Sequence, residues 1–183
     1  MDAKTHELAP LVRDRNSVAE RITRIIGRPT QIGHIGEYIA SQVFDIQLEH
    51  SAVSKGIDGA FRSGPLAGRT VNFKFYAKRE GLLDIRPDAV ADYYLVLTGP
   101  KSNTMTSRGE VRPWHIDWVF LFHGPMLVDH IKERGVKIGV ATSVVAEQWN
   151  RAEIYPDGAN SEYNVGNEQK QMLRLFCSSR GDV

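Results

Sequence analysis

Gly56-Ile57-Asp58-Gly59-Ala60-Phe61, a break at Gly64-Pro65-Leu66-Ala67-Gly68, then Arg69-Thr70-Val71-Asn72-Phe73-Lys74-Phe75-Tyr76: these residues decide the fold. Two extended runs flank a loop rich in Gly and Pro, which reads as a β-hairpin with a longer connection. Strand side chains alternate between faces, so Asn72 and Lys74 share one face while Val71, Phe73 and Phe75 share the other. The second strand is apolar enough that one Lys within it wants a reason. An isolated acid on the first run and a Lys on the second therefore meet on one small sheet.

Working outward, the N-terminal side reads as helical. Residues 1–15 are polar and read as a loosely packed N-terminus, frayed or forming a short helix. Asn16 or Ser17 can cap a helix through Ile26, with Val18, Ile22, Ile25 and Ile26 as its apolar face. Gly27-Arg28-Pro29-Thr30 ends it. A second helix is expected from Ile35 to Phe44 on a stripe of Ile35, Ile39, Val43 and Phe44, with Glu37 near its start and off the centre of that stripe. Ile46 to Glu49 is a short strand. On the C-terminal side, Tyr93 to Thr98 is an apolar run suited to a central strand. Gly99 to Pro113 reads as a polar loop and His115 to Phe122 as a strand. Pro125 to Arg134 reads as a helix stopped by Gly135, Val136 to Val140 as a strand, and the region near Val144 to Trp149 as a short helix. Glu153 to Tyr155 is expected as an edge strand and Asn167 to Phe176 as a final helix. That order predicts an α/β domain around one mixed sheet flanked by helices. With no convincing linker, the whole chain, 1–183, reads as a single domain.

Composition narrows the classes. A chain of 183 residues buries about 70% of its unfolded surface, enough for a core. The net charge is +1, so nucleic-acid affinity has to come from a local patch rather than a global basic field. Cys177 is the single cysteine, which excludes an internal disulfide and a cysteine-rich zinc site and suits a reducing, cytoplasmic setting. No apolar run approaches the ~20 residues of a membrane span. The start, Met1-Asp2-Ala3-Lys4-Thr5-His6-Glu7, does not resemble a signal peptide. There is no HExxH among the six histidines, no G-x-S-x-G, and no phosphate-cradling G-x-x-x-x-G-K-[ST]. Metalloprotease, serine-hydrolase and nucleotide-driven chemistry therefore lack support. His115 and His123 read as structural, and Cys177 as a buried helix residue.

What remains is the acid and the Lys. An acid holds a hard cation through oxygen, and a Lys places positive charge near an attacking water or a phosphate. This pairing suits metal-assisted cleavage of a phosphodiester. The pattern Gly36-Glu37, Gly56-Ile57-Asp58 and Asn72-Phe73-Lys74 resembles the core of the PD-(D/E)xK restriction-endonuclease-like superfamily, in the Mrr-like branch where an amide replaces the second acid. Val71 to Tyr76, taken with Gly81-Leu82-Leu83-Asp84-Ile85, is also similar to an uncharacterised bacterial family near those enzymes. The resemblance spans roughly residues 33–98.

The resemblance implies a restriction-endonuclease-like core and a DNA endonuclease that uses Mg²⁺ or Mn²⁺, in restriction or defence. Asp58 would be the main metal ligand and Glu37 a second acid. The Phe73 backbone carbonyl would be a further ligand, and Lys74 the group that polarises or positions the attacking water. Asn72 stands where most of the family has a carboxylate. Its amide oxygen still ligates a hard cation, so affinity is weakened rather than lost. Ile57 replaces the usual Pro. Enzymes of this type often work in pairs, because two strands need two sites, so a homodimer suits the resemblance.

Blander readings stand beside each of these. Asp58-Gly59 is also a turn dipeptide, Lys74 a half-exposed surface Lys, and Glu37 an acid favoured by the helix dipole. Lys55, Arg62, Arg69, Lys78 and Arg79 around the hairpin, with Lys101, Arg108 and Arg112 in the polar loop, could form a phosphate-binding rim or be solvated charge. Tyr76, Trp114 and Trp118 could stack on bases or simply pack. The alternative function is a catalytically weak or inactive nucleic-acid-binding module of the same fold. A third is an interaction domain in which Asp58 and Lys74 form only an ion pair.

Overall fold

A computed structural model describes residues 3–49, 56–101, 113–158 and 160–178. Along the chain run α1 (Ala3–Ile26), α2 (Ile32–Phe44), β1 (Ile46–Leu48), β2 (Gly59–Phe61), β3 (Thr70–Tyr76), β4 (Leu82–Leu83) and β5 (Tyr93–Thr98). They are followed by β6 (Trp118–His123), α3 (Gly124–Glu133), β7 (Thr142–Ser143), α4 (Ala146–Ala152), β8 (Glu153–Tyr155) and α5 (Asn167–Arg174). Six strands form one mixed sheet in the order β1-β2-β3-β5-β6-β8, and β4 pairs with β7 in a separate two-stranded sheet. Among the named strands β3 and β5 alone pair in parallel, with Asn72 opposite Tyr94 and Lys74 opposite Val96.

The alternation read in β3 continues across the sheet. Val71 and Phe73 join Tyr93, Leu95 and Leu97 of β5 and Val119 and Leu121 of β6 in one cluster, covered by Ile39, Val43 and Phe44 of α2 and Leu173 of α5. Tyr94 and Val96 join Phe120 and Phe122 on the other face, beneath Leu127 and Ile131 of α3 and Trp149 of α4. The Trp149 ring meets Phe120 and Phe122 edge-on at 4.7 and 5.0 Å between centroids. All six residues of β5 are buried, as its unbroken apolar run requires of a strand covered on both faces. Two glycines set close approaches. A Cβ at Gly36 would lie 2.6 Å from the Phe75 ring, and one at Gly59 would lie 2.5 Å from the Gln47 carbonyl oxygen. Gly36 lets α2 settle on β3, and Gly59 lets β1 close on β2.

Three expectations need correction. The first helix begins at Ala3 rather than at Asn16 or Ser17, and Pro10 lies inside it. The apolar period carried by Leu8, Leu11 and Val12 runs on into Val18, so the chain has no reason to break at the polar pair. Val136 to Val140 is not a strand. The extended pairing falls at Thr142–Ser143 against Leu82–Leu83, and Ala141, at φ 58°, turns the chain into it. The second helix starts at Ile32, earlier than Ile35. Most of the Gly99 to Pro113 loop lies outside the described residues.

Candidate functional site

The site is built where β2 and β3 separate. Asp58 sits just before β2, and its backbone N–H donates to the Val71 carbonyl at 2.9 Å. Its side chain then takes over from the strand. The Asp58 Oδ2 accepts the Phe73 backbone N–H at 2.7 Å, so a carboxylate stands where the next ladder acceptor would be. A strand residue's N–H and C=O project to the same edge, so the Phe73 carbonyl also opens toward Asp58. Burial pushes the Asp58 carboxyl above the usual carboxylate range. The Phe73 N–H and the charges of Lys74 and Arg28 pull the other way but do not offset it.

Asn72 is buried. Its amide nitrogen donates to the Gly56 carbonyl at 3.1 Å, which fixes the side chain. The amide oxygen is left buried with no hydrogen-bond partner among the described residues. Tyr94, in register with Asn72 on the same face, also has a buried hydroxyl without a partner there. Thr98, on the same face of β5, likewise has a buried hydroxyl without a partner there, and orphaned polar atoms of this kind are costly unless something binds them. Lys74, two residues on, is half-buried on that face.

Glu37 is placed differently. It lies on α2, which covers the Val71, Phe73 and Phe75 face and so the opposite layer from Asn72 and Lys74. Its carboxylate is engaged by Arg28. Arg28 in turn acts on Asp58, so this guanidinium links the two acids electrostatically. The sequence offered no local signal for Arg28, which reads there only as part of a helix stop.

Among the described residues no group of three His, Cys, Asp or Glu side chains is arranged to hold a metal ion. The donors at hand are all oxygens: the Asp58 carboxylate, the orphaned Asn72 amide oxygen and the Phe73 carbonyl. That set fits a hard cation of the Mg²⁺ type, which binds through one or two carboxylates and otherwise keeps water and phosphate as ligands.

The expected basic rim is largely paired. Arg62 bridges Asp45 at 2.8 Å, Arg69 reaches Asp92 at 3.6 Å and Lys78 reaches Glu80 at 3.4 Å. Arg79 lies over the rings of Trp118 and Phe120, at 5.8 and 5.4 Å, and bridges to Lys101 through the backbone. Lys101 is exposed. Lys55, Arg108 and Arg112 lie outside the described residues. Of the aromatics considered for stacking, Trp118 lies under Arg79 and the Tyr76 hydroxyl accepts the Asp84 N–H at 3.1 Å. Trp114 lines an apolar groove. The His123 Nδ1 accepts the Met126 N–H at the start of α3. The Cys177 thiol donates to the Ile116 carbonyl at 3.2 Å, just past α5. No protein-family model matches the chain, and a search of the curated proteins finds no significant match. No helix of the described residues is long and apolar enough to cross a membrane.

Proposed function

We propose that the chain is a nuclease of the restriction-endonuclease-like type, hydrolysing DNA phosphodiesters with Mg²⁺ or Mn²⁺. One observation carries the reading: a half-buried carboxylate, Asp58, is held by the Phe73 N–H, and the preceding strand residue, Asn72, has a buried amide oxygen without a partner among the described residues. Asp58, Asn72 and the Phe73 carbonyl would hold the cation. When bound, the cation would supply Lewis-acid stabilisation of charge on the phosphate. Asp58 contributes the negative charge that selects a cation, and its bond to Phe73 fixes its orientation. Asn72 contributes a donor already stripped of water, so it asks for no further desolvation. Lys74 stabilises the anionic charge that develops as water attacks. Glu37 would join only by leaving Arg28.

The test is cleavage of plasmid and single-stranded DNA with each metal, comparing the native chain with Lys74→Ala and Asp58→Ala. Loss of one preorganised charge stabiliser costs roughly 10²–10³ in rate, so both variants should fall by at least that much while staying folded. Full-rate cleavage by Lys74→Ala would sink the assignment. The engagement of Glu37 by Arg28 leaves Asp58 as the acid of this site among the described residues and favours a second reading, a DNA-binding module without the chemistry. That reading predicts salt-dependent binding and no metal-dependent nicking.

A further inference from the structure

The first half of α1 stands clear of the rest of the protein. Every residue from Lys4 to Val18 is exposed, yet the segment carries Leu8, Leu11, Val12 and Val18, exposed by 57, 58, 44 and 50%. A bare helix of about 15 residues is marginal in water, so this apolar stripe wants a cover. Its spacing is specific. Leu8, Leu11, Arg15, Val18, Ile22 and Ile25 recur at alternating steps of three and four, the seam of a coiled coil, with Val12, Ala19 and Ile26 flanking it at steps of seven. Pro10 falls on the outer side of this seam. At the other end of the helix the same stripe forms one wall of an apolar groove of about 350 Å³, in which Ile22, Ile25 and Ile26 face Ile35, Tyr38 and Trp114. Ile25 is 68% exposed. A projecting apolar stripe and an open apolar groove thus lie on one helix, ~25 Å apart by helical rise.

We propose that the occupant is a second copy of this chain, with the two α1 helices packed antiparallel about a twofold axis. Leu8 and Leu11 of each copy would then enter the groove at Ile25 and Ile22 of the other, and a twofold axis satisfies both ends at once. Charge fixes the direction. In the antiparallel register Arg15 lies across from Val18 of the second copy, where its aliphatic stem packs and its head reaches water. A parallel pairing would set Arg15 against Arg15. The same antiparallel register brings Asp14 of each copy beside Arg21 of the other, and neither has an ion pair within the described chain.

Sedimentation equilibrium of the full chain tests this. The native protein should be a dimer and Leu11→Glu a folded monomer whose circular dichroism loses no more helix than the uncovered first half of α1 can fray. Asp14→Arg disturbs two symmetry-related pairs and should raise the dimer Kd roughly tenfold. Adding Arg21→Asp to it should restore most of that loss. A native monomer at 100-fold dilution series extending up to ~100 µM would overturn the proposal. So would a dimer indifferent to Leu11→Glu. Failure of the charge exchange to rescue would overturn the antiparallel register. None of these readouts depends on cleavage of DNA.

Discussion

Two aspartates show how one residue type serves opposite ends. Asp92 accepts the Thr70 N–H and hydroxyl, each at 2.8 Å, and these bonds, with the Thr70 N–H foremost, hold its carboxyl below the usual range. A depressed carboxyl stabilises the fold above its unfolded pKa and loses that contribution as pH falls through the folded value. Asp58 is raised, chiefly by burial. Its contribution is fully present below the unfolded pKa, ~3.9, and is lost as pH rises through the raised folded value. Asp58→Asn keeps an oxygen for the Phe73 N–H and removes the charge. It should be at least as stable as the native chain at pH 7, with the advantage vanishing on acidification. Urea midpoints across pH 3–8 measure this, and a variant less stable at pH 7 would refute the argument. Asn72→Asp puts a second carboxylate beside the first and forfeits the bond to Gly56. Without a cation it should cost roughly 1–3 kcal/mol. Millimolar Mn²⁺ should then raise its midpoint more than the native one. Equal shifts in both proteins would remove Asn72 from the cation's surroundings.

Between elements, the joint of α2 with β3 decides where Glu37 and the hairpin stand. Gly36 is its narrowest point, because a Cβ there meets Phe75 Cδ1 at 2.6 Å and Cβ at 2.7 Å. Gly36→Ala therefore pushes the helix away from the strand. Overpacking of this kind costs roughly 1–3 kcal/mol, and urea unfolding should show it as a lower midpoint with an unchanged slope. The opposite layer depends on Trp149, buried against Phe120 and Phe122. Trp149→Ala should cost roughly 3–5 kcal/mol. A loss under 1 kcal/mol there would mean that α4 repacks. The hairpin, the central strand and the edge strand were legible because period-two patterns survive in short segments. The pairing of Leu82–Leu83 with Thr142–Ser143 was not, because a two-residue strand carries no period.

On the scale of the whole molecule, the sheet orders residues far apart in sequence, while α1 reaches beyond it. If α1 pairs with a second copy, folding and association are linked, and the thermal midpoint of the native chain rises with protein concentration. Leu11→Glu should show no such rise. A concentration-independent midpoint in the native protein would argue that α1 remains uncovered. The antiparallel pairing also places the two hairpins in one particle, the arrangement that cutting both strands of a duplex would call for.

Local chemistry by itself determined much of this chain. The hairpin around residues 64–68, the two faces of β3 and the buried run of β5 follow from side-chain alternation and turn residues, which act over a few positions. The α/β class follows from the order of those elements. Tertiary structure alone decided that β3 and β5 run parallel, that Asp58 caps the Phe73 N–H, and that the Asn72 oxygen is left without a partner. It also decided that Arg28 engages Glu37. Each of these depends on which strand edge or helix face meets which, and burial converts such a meeting into a pKa or an unpaired oxygen. No window of sequence contains both partners.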